Sequence, residues 1–158
     1  KQDDEYEVLL AKSLADRLAE ALAEWAHARV RRDIWAYSPE EKLSPRDTLV
    51  FAADGRAPYR GIRPAFGYPA CPDHEDKRLA FALLDAEKSL GLSLTESAMM
   101  LPAASVCGMY FAHPAAWYFG TGSVDSEQVA DWARRKTISL DDAKKRLSSI
   151  VQRSLLPG

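Results

Sequence analysis

The stretch GIRPAFGYPACPDH, residues 61–74, holds three prolines and two glycines and has neither helical nor strand periodicity. Pro64 removes a backbone donor and restricts Arg63 to extended geometry. Gly67 permits a positive φ or a close backbone approach, and the next proline restricts Tyr68. A segment stiffened in this way loses little entropy when it binds a ligand. The stretch therefore predicts a rigid loop that presents Arg63 and Tyr68.

Arg63 is the first candidate for a binding residue. Its guanidinium is a planar fork of donors that suits a carboxylate or a phosphate. The alternative is a surface arginine in an ordinary rigid turn. The chemistry of the residue alone leaves both interpretations open.

Two further pairs of residues are candidates. Asp16 and Glu20 lie four positions apart, which places both carboxylates on one face of a helix. Such a pair suits a cationic ligand, although it is also common on solvated helix faces. Tyr118 and Phe119 carry aromatic rings, which attract sulfonium and quaternary ammonium groups. Packing in the core is the alternative for these rings.

The composition is that of an ordinary globular protein, with 158 residues, 47% of them hydrophobic, and a net charge of -2. These values predict one domain, residues 1–158, and exclude a global positive field that would attract nucleic acid. No apolar run is long enough to span a membrane, and the acidic N-terminus lacks the order of a secretion signal. Cys71 and Cys107 have no metal-ligand spacing, so we expect free thiols, no bound metal and a cytoplasmic protein.

Residues 5–37 are rich in helix formers and predict a long N-terminal helix. Large apolar residues recur along it at spacings of four and three: Leu10, Leu14, Leu18, Leu22 and Trp25. Polar residues fall roughly opposite: Ser13, Asp16, Glu20, Glu24 and His27. This arrangement is typical of an amphipathic helix.

A second helix is predicted from Asp73, as its cap, to about residue 90, where Gly91 suits a helix C-terminus. Its expected buried positions are Leu79, Leu83, Ala86 and Leu90. The chain then changes character, and three short β-prone stretches predict an antiparallel meander at residues 93–100, 104–112 and 115–123.

Two capped helices are predicted near the C-terminus. Asp125 with Gln128 opens the first, which includes residues 129–136. Ser139 with Asp142 opens the second, which runs to about residue 151. The complete order indicates an α+β fold, in which an antiparallel β-meander packs with helices after a long N-terminal helix.

The sequence also resembles a known family. RPAFGYPACPDH, at residues 63–74, is similar to the signature loop of the activation domain of cobalamin-dependent methionine synthase. Further stretches resemble the same domain in the same order: LADRLAEALAEWAHARVRRDIWAY at 14–37, LTESAMMLPAASVCGMYFAHP at 94–114 and QVADWARRK at 128–136. The resemblance covers most of the chain, and the family domain is about twice as long, so we expect this chain to correspond to its C-terminal half.

The resemblance implies a module that binds S-adenosylmethionine and reactivates the enzyme. In the family, an electron from a reduced flavoprotein such as flavodoxin and a methyl group from S-adenosylmethionine return cob(II)alamin to methylcobalamin. The cobalamin is expected to be held by the cobalamin-binding domain or another chain. The whole enzyme is a methyltransferase of methionine biosynthesis, and this chain alone is expected to be catalytically incomplete.

The resemblance also implies the roles of residues in the loop. It assigns the carboxylate of the methionine moiety to Arg63, and a ligand-lining backbone to Ala65 and Gly67. It places Tyr68 against the upper face of the corrin. The chain departs from the family at Phe66, where a second proline is usual.

Outside the loop, the resemblance places Asp16 and Glu20 near the sulfonium and the corrin. These two and the loop tyrosine are the expected catalytic residues. Two aromatic contacts to the ligand fall on Tyr118 and Phe119, and the family commonly has tyrosine at the second position.

Two other functions are compatible with the residues. A non-catalytic module that binds S-adenosylmethionine, or docks a flavoprotein or corrinoid protein, would bind without turnover. A conventional S-adenosylmethionine methyltransferase is disfavoured, because no unit of strand, Gly-rich loop and helix is visible.

Overall fold

The structure is a computed structural model that describes residues 2–54 and 56–152. The sequence predicts a single domain over residues 1–158, of which residues 1, 55 and 153–158 lie outside this description. A long helix, α1 (Gln2–Arg29), comes first and continues into a π-helical turn at Val30–Ile34. The later helices are α2 (Asp76–Leu84), α3 (Ala86–Leu90), α4 (Ser126–Lys136) and α5 (Leu140–Arg146). A short 3-10 turn at Asp47–Leu49 interrupts the loop after α1.

The regular sheet in the described residues is small. β1 (Ser93–Leu94) and β2 (Met100–Leu101) form an antiparallel pair, with Ser93 opposite Leu101. The α+β class, the antiparallel pairing and the long N-terminal helix are confirmed. The sheet has two strands here, where the sequence predicted a meander of three.

The second predicted strand pairs with the proline-rich loop instead of with its neighbours in sequence. Antiparallel bridges join Ile62 to Phe111 and Ala65 to Gly108. A Cβ at Gly108 would lie 2.6 Å from the carbonyl oxygen of Pro64, so the close approach of these two backbones requires glycine. The loop is therefore fixed to the body of the protein on both sides of Arg63.

The helix predicted over residues 73–90 is two helices. Asp85 has a left-handed backbone conformation, with φ 47° and ψ 46°, and separates α2 from α3. Asp73 is not the cap of α2, because Glu75 occupies that position. Asp73 instead accepts a hydrogen bond from the Glu75 N–H at 3.0 Å and is almost completely buried. Its carboxylate forms ion pairs with Lys136 and Arg146, which tie the residues just before α2 to α4 and α5.

The buried side of α2 also differs from the prediction. Lys77 and Phe81, one turn apart, face the interior, and Ala86 is buried in α3. The other three positions predicted to be buried are exposed: Leu79, Leu83 and Leu90. The helix is therefore rotated relative to the expectation from apolar spacing. The buried Lys77 places its Nζ 3.0 Å from Nδ1 of His74.

The C-terminal helices follow the predicted caps. The Gln128 N–H donates to Asp125 Oδ1 at 2.9 Å, and the Asp125 N–H donates to Gln128 Oε1 at 3.0 Å. At α5, Ser139 Oγ accepts from the Asp142 N–H at 3.0 Å, and the helix ends before the predicted residue 151. α4 and α5 pack around a small apolar core: Val129, Ala133, Ala143, Leu147 and Val151.

The apolar stripe predicted along α1 does not pack against the described residues. Its exposure ranges from 46% at Leu10 to 71% at Leu18. The side of α1 that turns inward ends instead in His27, which is fully buried. Despite this stripe, the described residues contain no helix with the length and apolar character needed to cross a membrane.

Candidate functional site

Arg63 is held at both its backbone and its side chain. Its backbone N–H donates to the Tyr118 hydroxyl at 2.8 Å. Its Nη1 donates to the Ala23 carbonyl at 3.0 Å, and its Nη2 donates to Glu24 Oε1 at 2.6 Å. The structure thus brings together two residues that the sequence predicted for one site, although they lie 55 positions apart.

Glu24 supplies the charge that compensates the guanidinium. The side chain of Arg63 is 13% exposed and that of Glu24 is 30% exposed. Burial lowers the pKa of Arg63, but the hydrogen bond and the charge of Glu24 outweigh that effect, so the pKa is raised above its ordinary value. The second oxygen, Glu24 Oε2, is buried and accepts no hydrogen bond from the described residues.

A cavity of about 650 Å³ lies alongside α1. Three carboxylates spaced one turn apart line its helical side: Asp16, Glu20 and Glu24. The rest of the lining is Arg17, Ala19 and Ala21 of α1, Leu49 and residues 103–106. Small-molecule pockets commonly measure roughly 300 to 1,000 Å³, so this volume suits a metabolite. The three carboxylates outnumber the one basic residue of the lining, Arg17, and so favour a cationic ligand.

The loop after Arg63 is closed by a local hydrogen bond at Gly67. Gly67 has a φ of +97°, and its N–H donates to the Cys71 carbonyl at 2.7 Å. A Cβ at Gly67 would lie 2.0 Å from the His74 ring, so glycine is required there for both conformation and space. Tyr68 lies next to it and is 66% exposed, which leaves its ring available to a partner.

The two predicted aromatic contacts have different surroundings. The Tyr118 ring lies 6.3 Å from that of Phe51, and its hydroxyl is engaged with the Arg63 backbone. Phe119 lies 6.3 Å from Trp117 and is 42% exposed. Only the first of the pair is therefore part of the hydrogen-bonded surroundings of Arg63.

The predicted residues form two groups, which Glu24 connects. Asp16 and Glu20 line the cavity, whereas Arg63 and the other loop and aromatic candidates do not. Glu24 lines the cavity and also binds Arg63. Sequence reasoning placed Glu24 on the polar face of the helix but gave it no role. The only signal was its position one turn after Glu20.

A buried polar cluster adjoins this site. His27 stacks on Tyr110, with ring centroids 5.0 Å apart, and meets Tyr59 edge-on at 5.1 Å. Burial, and then the positive charges of Arg31 and Arg63, lower the pKa of His27 from 6.5 to about 3. The imidazole is therefore neutral at neutral pH, and its Nε2 lies 3.1 Å from the Tyr37 hydroxyl.

The model of the family described as "Vitamin B12 dependent methionine synthase, activation domain" matches residues 1–137. The chain belongs to this family. The resemblance inferred from the loop and the other three stretches is thereby confirmed.

A solved structure supports membership of the activation-domain family. The "Crystal Structure of the MetH Reactivation Domain bound to AdoHcy" is similar, with a TM-score of 0.84 and 45% sequence identity. The match covers 95% of this chain and 44% of that chain, so this chain spans less than half of the matched one. The described fold is therefore that of part of a reactivation domain.

Proposed function

We propose that this chain binds S-adenosylmethionine and supports the reductive methylation of cob(II)alamin in a cobalamin-dependent methionine synthase. The main support is Arg63, whose guanidinium is held at two points on α1 beside a cavity lined by carboxylates. The bound AdoHcy of the matched solved structure, at 45% identity, supports the class of ligand.

The chemistry of the site fits S-adenosylmethionine. The ligand has a carboxylate at its amino-acid end, which suits the remaining donors of Arg63. It also has a sulfonium, a positive charge that is costly to remove from water unless negative groups lie near it. Asp16 and Glu20 provide those groups in the cavity. The cavity, of about 650 Å³, can take the part of the ligand that carries the sulfonium, while Arg63 lies outside its lining.

In the reaction, one electron and the methyl group of S-adenosylmethionine convert cob(II)alamin to methylcobalamin and leave S-adenosylhomocysteine, with the reactivity supplied by sulfonium and corrin. The residues of this chain bind and orient. Arg63 holds the carboxylate, and the backbone of Ala65 and Gly67 lines the ligand. Asp16 and Glu20 stabilise the sulfonium charge, which is absent from the product.

A corrin docked over the site completes the arrangement. Tyr68 is 66% exposed, and we assign it to the contact with the upper face of the corrin. We assign the rings of Tyr118 and Phe119 to packing against the part of the ligand outside the carboxylate-lined cavity. Methyl transfer would require the ligand and the corrin to lie close together, so the cobalamin-binding domain would have to dock on this chain and later leave.

The proposal places the reaction in the cytoplasm, with a reduced flavoprotein such as flavodoxin as the electron donor. Cys71 and Cys107 are free, and burial raises the pKa of both thiols. Free thiols are typical of a reducing compartment.

Calorimetric titration with S-adenosylmethionine tests the binding step. We expect Arg63→Ala to weaken binding by about 10- to 100-fold, because a charged hydrogen bond contributes roughly 1.5 to 3 kcal/mol. Arg56→Ala is the matched control, since its guanidinium is 71% exposed in a loop, and it should bind like the wild type. Undiminished affinity of Arg63→Ala would remove the anchor from the proposal.

The complete enzyme tests the function itself. Arg63→Ala should slow reductive methylation of cob(II)alamin at limiting S-adenosylmethionine, and excess ligand should restore part of the rate. Binding without any methylation, in the wild-type enzyme with cobalamin and a reductant present, would favour a non-catalytic binding module instead.

A further inference from the structure

Glu24 lies between the cavity and Arg63, the residue that we propose binds the carboxylate of the ligand. It lines the cavity with Asp16 and Glu20, and its Oε1 accepts from Arg63 Nη2 at 2.6 Å. We propose that Glu24 is a positioning residue, which orients the guanidinium of Arg63 toward the carboxylate of the ligand. This inference rests on the proposed function, because it concerns how the same ligand is held.

Two contacts from consecutive residues of α1 fix the guanidinium. The Ala23 carbonyl accepts from Nη1 at 3.0 Å, and Glu24 accepts from Nη2. Because the group is planar, two separate contacts determine both its plane and its rotation within that plane. Tyr118 holds the backbone of the same residue at 2.8 Å, so Arg63 is restrained at both ends.

The contacts leave donors for a ligand. Each terminal nitrogen uses one N–H group, so Nε and the second N–H of each terminal nitrogen remain. None of these donates to another described residue. A carboxylate can therefore bind the guanidinium while Glu24 stays in place, and Glu24 does not have to leave before the ligand enters.

The buried positive charge of Arg63 requires the ion pair with Glu24. The Arg63 side chain is only 13% exposed, and an isolated charge at that depth is unfavourable without a partner. Glu24 is the only carboxylate within salt-bridge distance of Arg63 among the described residues. Without its charge, the guanidinium would turn toward water, and the ligand would have to reorder it on binding.

The test compares Glu24→Gln with the wild type against two ligands, S-adenosylmethionine and its decarboxylated form. The substitution preserves the shape of the side chain and removes its charge. We expect affinity for S-adenosylmethionine to fall about tenfold, as for one weakened charged hydrogen bond, and affinity for the decarboxylated ligand to change less than about twofold. The ratio of the two affinities does not depend on the folded fraction, so it remains informative if the variant is less stable.

Two further variants sharpen the test. Glu7→Gln makes the same change at an exposed position of α1 and should leave both affinities unchanged. Arg63→Ala combined with Glu24→Gln should bind S-adenosylmethionine no more weakly than Arg63→Ala alone, because Glu24 acts through Arg63.

The outcomes separate the two proposals. Equal losses for both ligands in Glu24→Gln would overturn the positioning role, and so would unchanged or tighter binding of S-adenosylmethionine. Wild-type protein that binds neither ligand would overturn the proposed function, and the role of Glu24 with it.

Discussion

The two sides of α1 have contrasting surroundings. The inward side carries polar groups, among them fully buried His27 and the pair of Glu24 with Arg63. The outward side carries large apolar groups, and Leu18 is 71% exposed. Among the described residues, the buried side of this helix is therefore the side whose polar groups have specific partners. The side that holds polar groups in fixed positions is also the side that forms the candidate site.

Removing one partner of a buried ion pair on the inward side should have the largest effect on stability. Arg31 follows α1 and is 0% exposed, and its Nε and Nη2 each donate to Glu41 at 2.7 Å. Glu41→Ala leaves this guanidinium buried without its partner, which we expect to lower the free energy of unfolding by about 3 to 5 kcal/mol. Urea denaturation measures the change.

The exposed pair of Arg56 and Asp54 provides the control for that experiment. The side chains are 71% and 59% exposed, so Asp54→Ala should change stability by less than about 0.5 kcal/mol. Similar losses in Glu41→Ala and Asp54→Ala would contradict the special position of the buried pair.

Acid should reveal the neutral histidine on the inward side. The pKa of His27 is about 3 in the folded protein, against an ordinary value of 6.5, so only the unfolded chain binds this proton between those values. The free energy of unfolding should therefore fall as the pH falls, by about 1.6 kcal/mol from pH 6.5 to pH 5. In His27→Gln this part of the slope should disappear.

The difference between the two stability curves isolates His27. Burial also lowers the pKa of His74, but that histidine is present in both proteins and cancels in the difference. Parallel curves for wild type and His27→Gln would mean that the buried imidazole accepts its proton without loss of structure.

Sequence predicted the features that depend on neighbouring residues. The capping box of Asp125 and Gln128 forms with both hydrogen bonds. Gly67 has the positive φ that its loop suggested. These features depend only on residues within a few positions of one another, so a short stretch of sequence is enough to predict them.

Sequence did not predict features that depend on distant partners. Glu24 meets Arg63 across 39 positions, and no spacing on α1 distinguishes it from its acidic neighbours. The second strand stretch pairs with the loop that carries Arg63, because that contact satisfies both backbones and needs glycine at Gly108. Apolar spacing likewise identified a stripe on α1 but not whether the described chain would cover it.

A substitution on the outward side of α1 should have the smallest effect on stability. Leu18 is 71% exposed, so Leu18→Ala removes little buried apolar surface and should change the free energy of unfolding by less than about 0.5 kcal/mol. Val129→Ala provides the comparison, because Val129 is 0% exposed in the core of α4 and α5 and should cost about 2 kcal/mol. If Leu18→Ala lowered the free energy of unfolding as much as Val129→Ala, the apolar side of α1 would be packed in solution. The contrast between the two sides of the helix would then not hold.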